Sequence, residues 1–158
     1  MKRLLVAAGL SLSLFFASCS QAVDYNNTVV KMHEQYSQRF QSGVNVISST
    51  EDAAKKQEAV AAIEKLTDSC KDVLTKMEPS EDAANFHSKL VAFYGAIKTD
   101  LVPVVKKMSE IKADDTNVEA TNKMVDEFNA SFQKIVQMEN DVRTAQQEFA
   151  AKANMKIK

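Results

Sequence analysis

Apolar residues recur every three or four positions along most of the chain after residue 24, and polar residues fill the positions between them. A helix completes a turn in 3.6 residues, so this spacing places the apolar side chains on one face. The pattern predicts four amphipathic helices. They cover about Tyr25–Ser48, Ser49 to Met77, Ser80–Ile111 and Asn117–Ala153.

The apolar stripes of these helices are the predicted core, because each stripe must be buried against another. Their members are Val29, Met32, Tyr36, Phe40, Gly43, Ile47, Val60, Ile63, Leu66, Thr67, Cys70, Val73, Leu74, Met77, Ala83, Phe86, Leu90, Phe93, Ile97, Leu101, Val104, Met108, Ile111, Val118, Thr121, Val125, Phe128, Phe132, Ile135, Met138, Val142, Ala145 and Phe149. The fourth helix is the longest, so its end near Phe149 is expected to be less covered than the rest.

Short polar connections separate the helices. Ser49 with Asp52 is a loose capping box for the second helix, and Pro79 ends that helix because the residue before a proline is pushed out of the helical region. Asp114 and Asp115 lie in the third connection. The tail 154–158 is expected to fray.

Two residues inside the stripes carry open alternatives. Gly43 either allows close approach of a neighbouring helix or weakens its own helix. Pro103 either kinks one long third helix, where it clashes with the carbonyl of Thr99, or lies in the first turn of a separate helix capped by Asp100. The stripe keeps its register across Pro103, which favours a kink.

Four amphipathic helices with short connections pack most simply as an antiparallel up-down-up-down bundle. The expected fold class is therefore all-α, with a four-helix bundle over residues 25–158 and a kinked third helix. The composition agrees with long helices, since the chain holds three Gly, two Pro and no Trp.

Residues 1–24 follow a different pattern. Lys2 and Arg3 precede the apolar run Leu4–Phe16, and the small residues Ala17 and Ser18 follow it. This arrangement is typical of a secretory signal peptide. The run is shorter than the ~20 apolar residues that a transmembrane helix needs.

The end of this run, Phe16-Ala17-Ser18-Cys19, resembles the lipobox of bacterial lipoproteins, although Phe16 stands where that family usually has Leu. The resemblance implies that residues 1–18 are removed and that Cys19 becomes an acylated N-terminus carrying two or three chains. Two chains hold a protein firmly on a membrane, whereas one chain binds marginally. Residues 19–24 would then form the acylated end and a short tether.

The same resemblance implies a bacterial cell-envelope protein. Ser20, which is not Asp, favours the outer membrane. The alternative is cleavage after Ala22 by ordinary signal peptidase, at the A-x-A-like pattern Ser20-Gln21-Ala22. That cleavage would discard Cys19 and give a periplasmic or secreted protein.

The charge of the chain gives no support for a nucleic-acid partner. It has 20 Lys and Arg against 21 Asp and Glu, and the loss of Lys2 and Arg3 would leave a net charge of −3. A basic surplus, which nucleic-acid binding requires, is absent from this count.

The sequence predicts no catalytic, cofactor-binding or metal-binding residues. His33 and His87 are the two histidines, neither belongs to a Glu-x-x-His or His-Glu-x-x-His motif, and both are expected to be partly exposed. Cys70 lies in the second stripe, so it is expected to be buried and inert. In an oxidising envelope it would stay a thiol or pair between chains.

Three functions follow, in order of preference. The first is a non-catalytic, lipid-anchored scaffold or interaction module of the cell envelope, held on the membrane through Cys19 and possessing no cofactor. The second is a bundle that binds an apolar molecule or a metal near Gly43 or Pro103. The third, an enzyme, has no recognisable catalytic motif in its favour.

Overall fold

The computed structural model describes the backbone of residues 4–111 and 118–155, and side chains from residue 21 onward within those ranges. All regular structure in these residues is helical, which confirms the all-α prediction. The helices are α1 (Leu4–Ser49), α2 (Ala53–Lys76), α3 (Ala84–Ala96), α4 (Val102–Ser109) and α5 (Val118–Lys152). None of the described helices is long and apolar enough to cross a membrane.

Residues 81–109 form one continuous helical segment. A 3-10 turn, Glu81–Ala83, leads into α3, and a π-helical turn, Ile97–Leu101, joins α3 to α4. The third predicted helix is therefore unbroken, but it ends at Ser109 and not at Ile111. The predicted connection at Asp114 and Asp115 lies outside the described residues.

The junction of α1 and α2 corrects a capping prediction. Ser49 is the last residue of α1, and Asp52 is the N-cap of α2, where its carboxylate accepts hydrogen bonds from the backbone N–H groups of Ala54 and Lys55. An aspartate at this position satisfies N–H groups that have no partner within the helix. The α1 helix also begins earlier than the predicted Tyr25, since residues 4–24 hold no proline and a single glycine.

The core joins all the helices. It contains Val29, Tyr36 and Ile47 from α1; Val60, Ile63, Thr67, Cys70 and Leu74 from α2; Phe86, Leu90, Phe93 and Tyr94 from α3; Ile97 and Leu101 from the π turn; Val102 and Val105 from α4; and Ile135, Val142, Ala145 and Phe149 from α5. Nearly all of these belong to the predicted stripes. The spacing of apolar residues therefore identified most of the core.

The π turn changes which face of α4 is buried. The backbone N–H of Val102 donates to the carbonyl of Ile97, five residues back, and Pro103 follows without an N–H to donate. The predicted Val104 is buried, but Val105 and Ser109 are buried as well, and the predicted Met108 is partly exposed. The buried face is therefore displaced by one residue in the second turn of α4.

The two halves of α5 differ in burial. All of its buried residues lie between Ile135 and Ala150, and Phe149 is only 1% exposed. In the first half, Val118, Val125 and Phe132 are exposed although the spacing assigned them to the core. The prediction that the end near Phe149 is the less covered one was therefore wrong, and the opposite end of α5 is the open one.

The C-terminal end of α5 is capped. Asn154 has a positive φ of 51°, and the N–H of Met155 donates to the carbonyl of Ala150 at 2.8 Å. Together with the bond from the N–H of Asn154 to the carbonyl of Ala151, this is a Schellman motif. Asn154 and Met155 are thus ordered and not frayed, and Met155 packs against the core. Residues 156–158 lie outside the described residues.

Of the two alternatives for Gly43, the structure supports close approach of a neighbouring helix over a weakened α1. A Cβ built on Gly43 would lie 2.9 Å from both Cδ1 and Cγ1 of Ile63 on α2, and Ile63 is itself buried. Real side chains do not approach so closely, so only glycine lets α1 and α2 meet at this distance.

We expect Gly43→Ala to destabilise the protein by about 1 kcal/mol, because overpacking costs about 1–3 kcal/mol and the better helix propensity of alanine returns part of it. Gly95→Ala is the matched control, since a Cβ there meets nothing within 4 Å. That substitution should stabilise α3 by about 0.5–1 kcal/mol. Urea denaturation of both variants measures the difference, and equal effects would contradict the close contact.

Candidate functional site

A chain of polar side chains crosses the core with Tyr94 at its centre. The Tyr94 hydroxyl lies 3.1 Å from Nδ1 of His33 on α1, and Tyr94 and the Cys70 thiol on α2 influence each other's pKa. Nε2 of His33 lies 3.5 Å from a carboxylate oxygen of Glu139 on α5. His33 therefore links a phenol that is 0% exposed to a carboxylate on a third helix.

The tautomer of His33 sets the direction of its hydrogen bond with Tyr94. With the proton on Nδ1, His33 donates to the Tyr94 oxygen. With the proton on Nε2, the Tyr94 hydroxyl donates to Nδ1 and the Nε2–H group faces the Glu139 carboxylate. The second arrangement uses both polar contacts of the ring.

The hydroxyl groups of the other two tyrosines also contact polar side chains on neighbouring helices. The Tyr36 hydroxyl lies 3.2 Å from Oγ1 of Thr67, which also donates to the carbonyl of Ile63. Near the opposite end of α3, the Tyr25 hydroxyl lies 2.9 Å from Nδ1 of His87. Every buried side-chain polar atom in the described residues has a partner, as packed interiors require.

These surroundings suppress the acidity of the groups involved. Burial raises the pKa of Tyr25 and of Tyr36 to about 12 and raises the pKa of Tyr94 further. Burial also raises the pKa of the Cys70 thiol, against a smaller opposing effect of the Tyr94 hydrogen bond, and it lowers the pKa of His87. Each shift favours the neutral form, as removal from water does.

Cys70 is therefore a protonated, buried thiol, as the sequence predicted. It is free and 4% exposed. A thiolate is the reactive form of cysteine, so this thiol is a poor nucleophile at neutral pH. His33 and His87 are partly buried, in agreement with their predicted positions beside the stripes.

The outer surface between α1 and α2 carries two adjoining clefts, of about 440 and 560 Å³, which together we name the α1–α2 groove. Its floor is mostly apolar. The floor residues are Met32, Tyr36, Val46, Leu66, Cys70 and Val73. Its charged residues are Lys31, Arg39 and Lys65, and neither cleft is lined by an acidic residue.

Two other clefts have mixed charge. A cleft of about 470 Å³ beside Pro103 is lined by Asp68, Lys98 and Lys106, and Lys98 forms an ion pair with Asp68. A cleft of about 800 Å³ lies between the start of α2 and the end of α4, where Lys56 donates to the carbonyl of Ile111. Lys98 and Lys56 therefore have partners within the protein, and acidic residues line both clefts.

The predicted lipidation residue, Cys19, lies in the first part of α1, where the structure describes the backbone but not the side chains. Its modification therefore stays a prediction. Among the described residues, no three His, Cys, Asp or Glu side chains are grouped so that they could hold a metal ion.

Sequence reasoning missed Tyr94 as the centre of the polar chain. Its signal was present, because Leu90, Tyr94 and Ile97 are spaced by four and three residues, as one helix face requires. The adjacent Phe93 fits a parallel spacing, and both residues prove to be buried.

Comparisons with protein-family models, curated proteins and solved structures returned no match to this chain.

Proposed function

We propose that the protein is a non-catalytic scaffold or interaction module of the bacterial cell envelope, anchored by lipid on Cys19. The observation that carries the proposal is the position of Cys19, which ends an apolar export-type run and lies on α1, the helix that continues into the core. Ala22 and Tyr25, within two turns of Cys19, already pack against that core. A lipid on Cys19 would therefore hold the helical domain close to the membrane.

We propose that the described helices form an antiparallel four-helix bundle. Pairs in which one residue number rises as the other falls support this arrangement: Asp68 with Lys98 and Lys56 with Ile111 between α2 and the third segment, and Phe86 with Phe149 and Lys107 with Glu127 between that segment and α5. The π turn before Pro103 is where the third segment would bend.

The chemistry-bearing side chains support a structural role. The Tyr94–His33 and Tyr36–Thr67 hydrogen bonds join α1 to α3 and to α2, so they favour one packing of these three helices. A buried polar network of this kind can specify one arrangement of a core. Tyr94 and Cys70, which burial holds in the neutral form, are poor candidates for acid–base or nucleophilic chemistry.

The anchor is tested by Cys19→Ala. We expect this variant to leave the membrane fraction and to keep its far-UV helicity, because the acyl chains alone would hold the protein there. Cys70→Ala is the matched cysteine control and should remain with the membrane. Membrane association of the Cys19 variant equal to that of the unmodified protein would refute the anchor.

The mass of the mature N-terminal peptide separates the two cleavage sites. An acylated peptide beginning at Cys19 supports a lipoprotein, and Ser20 would then direct it to the outer membrane. A peptide beginning at Val23 supports a periplasmic or secreted protein and would refute the anchored scaffold.

A second function, binding of an apolar molecule or a metal, is favoured by the clefts beside Gly43 and Pro103. Native mass spectrometry and metal analysis of the purified protein test it. A stoichiometric bound mass that is lost when a cleft residue is changed would support this function over the scaffold.

A further inference from the structure

The α1–α2 groove has a charge that the rest of the structure does not balance. Lys31, Arg39 and Lys65 are exposed, and none of them forms an ion pair among the described residues. Elsewhere on the surface, some lysines pair with carboxylates, as Lys107 does with Glu127. Others, such as Lys106, have no ion pair among the described residues, but Lys106 lines clefts that also contain acidic residues. The groove thus combines an apolar floor with three unpaired cations.

The exposed half of α5 has the complementary character. Val118, Val125, Phe132 and Val136 are between 40% and 67% exposed, and we name these four residues the α5 stripe. With Asn122 and Asn129 between them, they follow a strict alternation of four and three residues, which is the spacing of a helix face that packs on another helix.

The charges beside the stripe are acidic on balance. Glu119 and Asp126 each follow a stripe valine by one residue, and Lys123 lies between them, so two acids and one lysine share one edge of the stripe. Lys134 lies on the other side of α5, where it pairs with Asp100 of the π turn. A surface that receives this stripe should therefore be apolar and basic.

The two surfaces also match in length. At a rise of 1.5 Å per residue, the stripe from Val118 to Val136 and the groove side from Thr28 to Val46 each extend about 27 Å. We propose that the α5 stripe of one copy of this chain docks into the α1–α2 groove of a second copy. This inference rests on the proposed role of the protein as an interaction module.

The charges oppose the alternative in which two α5 stripes pair with each other. Such a contact would bring Glu119 and Asp126 of both copies to one interface against a single lysine, Lys123, from each copy, and the same net negative charge on both sides costs affinity. Pairing of stripe with groove brings these acids to Arg39 and Lys65 instead.

A contact between two different surfaces is heterologous. In a pair, the copy that supplies the stripe keeps a free groove, and the copy that supplies the groove keeps a free stripe. Such contacts extend into rings or open filaments unless a surface is blocked. The assembly state of variants blocked at one surface therefore distinguishes this contact from a symmetric dimer.

The test uses the full-length chain, purified in mild detergent and measured by native mass spectrometry. A groove variant carries Arg39→Glu and Lys65→Glu, and a stripe variant carries Val125→Gln and Phe132→Gln. We expect the unmodified chain to form dimers and larger species. The affinity of each variant for itself should fall by a factor of about ten or more, because the anchor residues of an interface dominate its affinity.

The mixture of the two variants gives the decisive result. Each supplies the intact surface that the other lacks, so a one-to-one heterodimer that grows no further is expected. A groove variant that still dimerises alone would show pairing of two stripes and would overturn the proposal, as would a mixture that stays monomeric.

Controls separate the contact from nonspecific changes. Lys76→Glu with Arg143→Glu makes the same charge change at residues that line neither the groove nor the stripe, and Val91→Gln changes an exposed valine on α3. Both should assemble normally, and far-UV circular dichroism of all variants should match the unmodified chain.

A photoreactive residue at position 132 tests the contact in native membranes. The expected product joins two differently tagged copies, with the linked peptide in residues 28–46 or 59–73. A product with a different protein would refute self-association and leave the scaffold proposal standing, whereas the Cys19→Ala result bears on the anchor alone.

Discussion

Phe149→Ala is expected to lower the free energy of unfolding by about 3–5 kcal/mol, the usual cost of deleting a buried aromatic ring. The Phe149 ring is 1% exposed and lies 5.9 Å, centroid to centroid, from both Phe86 on α3 and Tyr25 on α1. Its removal leaves a cavity where three helices meet. Against a total stability of about 5–15 kcal/mol, this loss is large.

Urea denaturation followed by far-UV circular dichroism measures the change, and the slope of the transition should stay constant. Phe132→Ala on the same helix is the control, because Phe132 is 44% exposed and its ring contacts only Phe128 among the described aromatic pairs. We expect its effect to stay below about 1 kcal/mol. Equal losses for the two variants would contradict the unequal burial of α5.

Alkaline unfolding is the second large effect. The three tyrosines of the chain, Tyr25, Tyr36 and Tyr94, are all packed in the helical domain with pKa values raised by burial from the ordinary 10.0. Below pH 10 the phenols are protonated in both the folded and unfolded states, so their contribution to stability is complete.

As the pH rises through 10, the unfolded chain loses these protons first, and stability falls. For Tyr36, which is 4% exposed and has its pKa raised to about 12, this amounts to about 3 kcal/mol between pH 10 and 12. We therefore expect tyrosinate absorbance and loss of helicity to appear in one cooperative transition in that interval.

Tyr36→Phe separates this effect from the deprotonation of surface lysines over the same range. With one titrating phenol fewer, the variant should lose stability less steeply with rising pH. Tyrosine ionisation beginning at pH 10 while helicity is retained would contradict the burial of the tyrosines.

The helical stripes were the most predictable part of the fold, because burial of one face imposes a period of 3.6 residues on the sequence. Thr67 shows how far this extends: the stripe identified it as core despite its hydroxyl, and it is fully buried. Periodicity reports the face of a helix, however, and it does not report the partner that covers the face.

The first half of α5 illustrates that limit. Val125 and Phe132 continue the helical spacing of Ile135 and Val142, yet only the latter pair is buried. A stripe that binds a second molecule and a stripe that joins the core have the same spacing. Contacts with other helices, which the sequence does not encode locally, decide between them.

The π turn accounts for the error in α4. The stripe was extended through Pro103 at the α-helical period, and its next member, Val104, is buried. After the wider turn, however, Ser109 is buried in place of Met108. The proline explains why a turn lacking one regular hydrogen bond occurs there. Its position alone does not say whether the helix bends, breaks or widens.

The polar chain was only partly predictable, since the sequence places His33, Cys70 and Tyr94 on helix faces without their relative heights. Their meeting depends on how the helices are shifted along one another. The exposed positions of Lys31, Arg39 and Lys65 follow from the stripes, but their convergence on one groove does not.

The hydrogen bond between the side chains of Asn26 and Gln146 brings the beginning and the end of the domain together. A pulling force applied between the N-terminal side and the C-terminal end of α5 would pass through this contact and the adjacent Tyr25–Phe149 pair, leaving most of the helix length unloaded. A force applied between the N-terminal side and the opposite end, near Asp52 or Ile111, would instead act along the helix axes. It would shear the helices past one another over their whole length. The same protein would therefore be mechanically weak or strong according to where it is pulled.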